Sequence, residues 1–483
     1  MAIACPDCGT LLGIPPLPRR STAFCVRCRG SLEFTSGRSI NAALACSLAT
    51  LLLLIPVNRL PLLEVELWRV QSQLVIASGF GELAARGWVL LGGLATLFVV
   101  VLPFVRFGLL SVALAALRLG QHPSWLGAAF RWALWLDRWA MMDVFLVAVA
   151  VGYYYLTTIE HLNVTLEPGG QCLVAAGIMS MLSRAALDRR TVWRAIAGES
   201  DRSGDGRSIG CRTCGLIQPQ SRAGAPCPRC AAAVRARKRD SVAWTTALLA
   251  AAFILLFPGN ILPMNGSDLL RAHESYTNFG YVLQLWRLGL WPLAALTFWT
   301  SILTPAIMIS ALGWCVLSVW RRSSRRLLCK TAVFRIVAES GRWSMTGPLS
   351  IAFFVPLLDF GALGSETVRW GATAFIGMGV LLMTAALTFD PRLMWDVAVR
   401  ARPDLTTTEV ATPGSGPRRC RCASCRAPRG SVAAARAAAA DSSNSPATDR
   451  NPGSGCARAA RGSRHPPRRP AARRCARARR SPE

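Results

Sequence analysis

The chain has 483 residues, of which 52% are hydrophobic and 17% charged, with a mean hydropathy of +0.34 and a formal net charge of +29. An ordinary soluble enzyme is excluded, because the apolar residues fall in long, nearly uncharged stretches close to the length that crosses a hydrocarbon core. A nucleic-acid binder is not expected either: eighteen Arg and five acids lie in residues 401–483, and most of the remaining positive charge flanks apolar segments, where it orients helices.

Residues 1–39 are polar, basic and cysteine-bearing rather than a cleavable leader, so the first apolar segment is expected to stay as an anchor. They hold Cys5-x2-Cys8, sixteen residues, then Cys25-x2-Cys28. Four apolar segments follow at about 40–57, 87–112, 139–160 and 170–187. The connector 188–240 carries Cys211-x2-Cys214, twelve residues, then Cys227-x2-Cys230. Four more apolar segments come at about 241–258, 288–319, 343–363 and 370–389, before an Arg/Ala/Pro-rich tail, 390–483, whose composition fits a disordered segment or a frame-shifted end.

One offset organises this order. Cys25, Cys28, Asn58, Pro61, Pro103, Asp188 and Trp193 map 202 residues on to Cys227, Cys230, Asn260, Pro263, Pro305, Asp390 and Trp395. The chain therefore reads as two tandem copies of one unit. Backbone in lipid must satisfy its own hydrogen bonds, so the segments predict helices. The expected fold is an all-α polytopic membrane protein of about eight spans, in two four-helix repeats (40–187 and 241–389), each preceded by a small ribbon.

Arg19, Arg20, Arg27, Arg29 and Arg38 precede the first span, and Arg321, Arg322, Arg325, Arg326, Lys330, Arg335 and Arg342 lie between the sixth and seventh. Segment 161–169 has no basic residue and 362–369 has only Arg369. The positive-inside rule then predicts both termini and both cysteine modules in the cytoplasm. In the first long outer loop Leu63, Val65 and Leu67 alternate with polar residues, which predicts a small β-element there and, less regularly, in the second copy.

Each cysteine module places two pairs of thiolates on tight turns, helped by Pro6, Gly9, Gly30, Gly215 and Pro228. Two such turns make a tetrahedral S4 site suited to a structural Zn2+, two per chain, although iron fits the same donors. Disulfides are disfavoured in a reducing compartment. A thioredoxin-like pair would need a βαβ context that is missing around these motifs. Cys46, Cys172 and Cys315 read as small hydrophobes, and Cys420, Cys422 and Cys425 lack a partner pair.

Paired ribbons, the N-x-x-P after each first span, "RWAMMDVFLVAV" in the third and the D-x4-W closing each copy resemble the bacterial paraquat-inducible protein A family over about residues 1–400. The resemblance implies a bacterial inner-membrane protein that partners a periplasmic mammalian-cell-entry (MCE) domain protein and carries membrane lipids between membranes. The second copy departs from the pattern, with "RWSMTGPLSIAFF" lacking the acid, and the tail matches nothing in it.

An ionisable residue within a span is costly and marks a functional candidate. Asp143 is the clearest, as a titratable group in the third span, against the plainer reading of a polar residue at a helix end. Asp359 reads as interfacial, and Arg106 as able to snorkel to headgroups. Ser301, Thr304, Ser344, Thr346 and Thr384 are candidates for a polar transport path, though each can instead bond its own helix. Pro103 and Pro305 interrupt matching helices, as at transporter cavities or as simple kinks.

The leading reading is therefore a lipid transporter or its loading subunit, and not an enzyme. No Walker-type loop with Lys-Ser/Thr is present to hydrolyse ATP. The alternatives are a non-transporting scaffold whose ribbons recruit cytoplasmic proteins, and a thiol-based membrane redox protein.

Overall fold

The structure, a computed structural model, describes residues 2–13, 21–35, 40–67, 70–158, 162–197, 208–269, 272–357, 364–401 and 409–410. The first ribbon is two antiparallel hairpins, β1 (Ala2–Ala4) with β2 (Leu11–Gly13) and β3 (Thr22–Phe24) with β4 (Ser31–Phe34). Helix α1 (Ile40–Arg59) then leads to β5 (Leu63–Leu67), β6 (Val70–Leu74) and α2 (Ile76–Ala85). The next span is one 30-residue rod: α3 (Val89–Ala95), a π-helical stretch Thr96–Val101, and α4 (Leu102–Arg118). After α5 (Leu126–Leu136), α6 (Met142–Leu156), β7 (Leu162–Leu166), α7 (Pro168–Ala186) and α8 (Arg189–Ile196) comes the second ribbon, with β8 (Ser208–Gly210) and β9 (Ile217–Pro219).

The second half repeats this order as α9 (Ser241–Ile261), β10 (Asn265–Leu269), β11 (Ala272–Tyr276), α10 (Asn278–Arg287), α11 (Trp291–Phe298), α12 (Thr304–Trp320), α13 (Leu327–Ser340), α14 (Thr346–Leu357), β12 (Gly364–Val368), α15 (Trp370–Thr388) and α16 (Arg392–Ala401). Both ends of α2, α4, α7, β5, β6 and β7 coincide, 202 residues on, with the ends of α10, α12, α15, β10, β11 and β12.

By length and composition five of these helical segments can cross a membrane: α1, the α3–α4 rod, α9, the α11–α12 rod and α15. A sixth is α7 if its bent continuation into α8, at 65°, counts as one span. The third apolar helix of each half is shorter. Fifteen residues of α6 rise about 22 Å, less than the ~30 Å of a hydrocarbon core.

The prolines sit differently from a simple break. Pro103 and Pro305 occupy the first turns of α4 and α12, each just after a π-helical stretch (Thr96–Val101 and Trp299–Leu303). A π-turn absorbs the ring and the missing N–H, so the rod continues.

Each half carries a three-stranded antiparallel sheet, ordered β6-β5-β7 and β11-β10-β12. Leu63 pairs with both Leu74 and Leu166, and Asn265 with both Tyr276 and Val368. The expected hairpin is present in both loops, and a third strand joins it from about a hundred residues further along the chain.

The family-like motifs have local work to do. Asn58 and Asn260 each donate to the carbonyl four residues back, Leu54 and Leu256, both at 2.8 Å, closing helices that Pro56 and Pro258 weaken. The carbonyls of Pro61 and Pro263 accept from the N–H of Gly169 and Gly371, both at 3.0 Å. A Cβ on either glycine would lie 2.5 Å from that oxygen, so glycine is required for the close approach. Asp188 caps α8 through the N–H of Arg190 and Thr191, and Asp390 accepts from Arg392 N–H at the start of α16. Trp193 then packs edge-on against Phe130 of α5, and Trp395 donates to Thr331 of α13.

The expected tail began at residue 390, yet 392–401 form α16, because Asp390 starts a helix as Asp188 does. The rest of that tail, 402–408 and 411–483, lies outside the described residues, as do Asp359, Cys420, Cys422 and Cys425.

Candidate metal centres and a buried ion network

All four cysteine knuckles share one backbone design. The N–H of the first cysteine donates to the carbonyl five residues on: Cys5 to Thr10, Cys25 to Gly30, Cys211 to Leu216, Cys227 to Ala232. The fourth residue after it turns into the left-handed region, at Gly9, Arg29, Gly215 and Ala231. Two of these positions are glycine, where that conformation is cheap.

Within each set the four Sγ atoms lie within 4.8 Å of one another and all eight cysteines are buried. The close pairs are Cys5–Cys28 at 3.4 Å, Cys8–Cys25 at 3.6 Å, Cys211–Cys230 at 3.5 Å and Cys214–Cys227 at 3.6 Å. A tetrahedron with metal–sulfur bonds of about 2.3 Å has edges of about 3.8 Å, whereas a disulfide would need about 2.05 Å. The residues therefore fit a tetrathiolate metal centre in each ribbon. Left as thiols, the sulfurs hydrogen-bond one another, and the bonds with Cys214 and Cys230 draw Cys211 down to about 7, against the opposing bond with Cys227 and burial.

The ribbons are exchanged. The first shares a core with the second half, where Ile3, Cys5, Leu12 and Cys28 pack with Leu312, Phe334, Phe389 and Trp395. The second shares a core with the first half: Ile209, Cys214, Cys230 and Val234 pack with Leu110, Leu114, Phe130 and Trp193. Arg27 lies over the Trp395 ring at 5.0 Å, and Arg392 donates to Pro6 O at 3.0 Å. Across the other pairing, a Cβ on Gly127 of α5 would lie 1.8 Å from Arg229 O. Lys238, just after the second ribbon, donates to the carbonyls of Leu387 and Phe389, capping the α15 C-terminus. Burial, with Arg212 nearby, pushes Lys238 down to about 8. Arg212 itself pairs at 2.9 Å with the fully buried Asp390.

The buried acid of the third helix is not alone. Asp143, in the first turn of α6, accepts from Arg184 of α7 at 2.9 Å and forms an ion pair with Arg342 of the second half at 3.2 Å. Arg184 also holds Asp137 at 2.9 Å, which pairs with Arg106 of α4 at 2.6 Å and with the exposed Arg189 at 3.5 Å. Arg106 is 4% exposed and turned inward, so it does not snorkel; the Asp137 carboxylate draws it into the bundle. Burial opposes ionisation of Asp137, but Arg106, Arg184 and Arg189 outweigh it and hold the carboxyl below its usual range. Among the described residues the second half shows no matching network: Met308 and Ala386 stand 202 residues after Arg106 and Arg184, and Gly347 takes the place of Asp143 when the two Arg-Trp pairs are aligned.

The hydroxyl candidates sit as follows. Ser301, Thr304, Ser344 and Thr346 are buried where the π-turn before α12 meets the turn before α14, and Thr384 is half-buried on α15. Thr304 donates to Trp299 O, Ser344 to Gly341 O, Thr346 to Trp343 O and Thr384 to Val380 O, all within their own helical segments. Asn278, not singled out from sequence, joins this region by donating to Asn260 at 3.0 Å and Ser301 O at 3.4 Å. The arginines of the ion network were equally hidden, since each reads as an ordinary positive charge at a helix end.

Apolar helices, paired four-cysteine ribbons and a buried charge network define a multi-pass membrane protein with cysteine-rich metal-binding modules. The profile of paraquat-inducible protein A matches residues 40–197 and 242–398, so the chain belongs to that family. It is 30% identical over 402 residues to intermembrane transport protein PqiA of Escherichia coli (strain K12), covering 82% of this chain and 95% of that protein. It is 25% identical over 402 residues to lipophilic envelope-spanning tunnel protein A of the same strain, with 81% and 90% covered. A probable intermembrane transport protein of Haemophilus influenzae is 25% identical over 415 residues, with 83% and 97% covered. No solved structure matches the chain.

Proposed function

We propose that this protein is the inner-membrane component of an intermembrane lipid-transport system, which moves or loads lipid toward a periplasmic MCE-domain tunnel protein. The observation that carries this reading is the match along 95% of a protein named for intermembrane transport. The relative named a lipophilic envelope-spanning tunnel protein supports lipid as the cargo. In this reading the chain is two tandem four-helix repeats with eight spans, α6 and α14 crossing with the help of the residues that flank them. Both ribbons, both termini and the connector face the cytoplasm, each ribbon holding one structural zinc ion, and the two sheets face the periplasm toward the partner. Asp143, with Ser301, Thr304, Ser344, Thr346 and Thr384, lines the lipid path where the repeats meet.

Two experiments test this. Vesicles containing the purified chain and an MCE-domain partner should transfer fluorescent phospholipid to acceptor vesicles. A partner that binds fully without transfer would favour the scaffold instead. Single cysteines at Gln73 and Ser275 should label from the periplasmic side; labelling only from the cytoplasm would overturn the topology.

A further inference from the structure

We infer that Arg335 is an outer-sphere partner of the metal held by Cys5, Cys8, Cys25 and Cys28, and that it makes the two tetrathiolate centres of the chain unequal. The inference rests on the cysteine sets holding metal. Arg335 lies on α13, in the half of the chain far in sequence from that ribbon. Its Nη2 donates to Cys28 Sγ at 3.2 Å and to Cys28 O at 3.3 Å. Its Nε donates to Asp7 Oδ2 at 2.7 Å, and Asp7 sits inside the Cys5–Cys8 turn. One guanidinium thus grips both knuckles of the first ribbon.

Gly30 leaves it room. A Cβ there would lie 2.4 Å from Arg335 Nη2 and 2.8 Å from Asp7 Oδ2. A divalent ion in four thiolates carries two net negative charges, and a cationic donor on one sulfur offsets part of that charge while fixing the ligand's direction. At the second centre a neutral amide, that of Gln218, donates to Cys227 Sγ at 3.3 Å. The residue 202 positions before Arg335 is Ala133, buried against the second ribbon.

The same contact ties the first metal to the ion network. Seven residues beyond Arg335, after α13 passes into the 3-10 turn Gly341–Met345, Arg342 reaches Asp143. The first metal therefore anchors the helix that delivers Arg342, and the second does not.

The test uses the full chain in detergent, loaded with zinc or with cobalt(II). In Arg335→Gln, one of the two zinc ions should pass to a chromophoric chelator about 10-fold faster, the usual effect of losing an outer-shell partner, while the other leaves at the wild-type rate. The sulfur-to-cobalt charge-transfer band of half the cobalt should move to lower energy, because a thiolate freed of its hydrogen bond is a better electron donor. Asp7→Asn weakens docking without touching sulfur and should leave the band in place. Equal release from both sites in Arg335→Gln, an unmoved band, or the same band shift in Asp7→Asn would each overturn the inference. Protein that purifies and reconstitutes with no metal would overturn it at the earlier step, the ribbon assignment itself.

Discussion

Arg342 Nη1 lies 3.2 Å from Asp143 Oδ2, so a guanidinium from the second half of the chain closes on the buried acid of the first. This contact and the α14–α6 packing join the two halves through both charge and apolar surface: Leu349, Ala352 and Val355 share a core with Val144, Phe145 and Ala148. Two cations at one carboxylate oxygen keep the Asp143 charge compensated where burial alone would make it expensive.

Asp143→Asn should lower lipid transfer by at least ten-fold while both metal centres stay full. The stability cost should stay below the ~3–5 kcal/mol of a fully buried broken pair, because Arg184 keeps Asp137 and both arginines are partly exposed. Arg342→Gln leaves the Arg184–Asp143 pair intact and should fall between Asp143→Asn and wild type in both stability and transfer. Transfer by Asp143→Asn at the wild-type rate would reduce this acid to a structural role.

Asp137 sets a pH dependence outside the spans. Its folded pKa is depressed, so the stability it contributes is fully present above the unfolded value of about 4 and is lost as pH falls through the lower folded value. The melting temperature of wild type should exceed that of Asp137→Asn at neutral pH, and the gap should narrow as pH falls below about 4. Thermal unfolding in detergent, followed by tryptophan fluorescence across that range, measures it; a gap that widens on acidification would refute the assignment.

Metal content provides a count. Cys25→Ser removes one of four ligands from a buried centre whose binding energy is also folding energy. Elemental analysis should fall from two metal ions per chain to one, and Cys227→Ser should remove the other. Wild-type protein without zinc or iron would exclude the ribbon centres altogether.

Much of this architecture was legible in the residues. Cysteine spacing located both four-cysteine sets, and six pairs of elements coincide end for end at the offset of 202 read from the residues. What stayed hidden is nonlocal. LNVTL gives no local sign that it will pair with a strand about a hundred residues earlier. Arg184 and Arg342 each look like charges that orient a helix, because only the fold reveals that they converge on Asp143. Nothing in the spacing of a ribbon says which bundle it will cover.

The exchange of ribbons makes the last prediction. By chain order the first ribbon belongs to α1, yet it is held by α13 and α16, with Asp7 on Arg335, Pro6 O on Arg392 and Arg27 over Trp395, and touches the first half where Leu32 O accepts from Arg190 of α8. Removing residues 2–35 should therefore uncover Leu312, Phe334 and Phe389, and amide exchange should quicken in α13 and α16. Helices α1, α4 and α5 should keep their protection, because Ala43, Leu110 and Phe130 on them share a core with Val234 of the second ribbon. Hydrogen exchange read by mass spectrometry on the truncated and full chains resolves these segments. Faster exchange in α1 with α13 unchanged would mean that each ribbon covers its own neighbour, and the exchanged packing would be wrong.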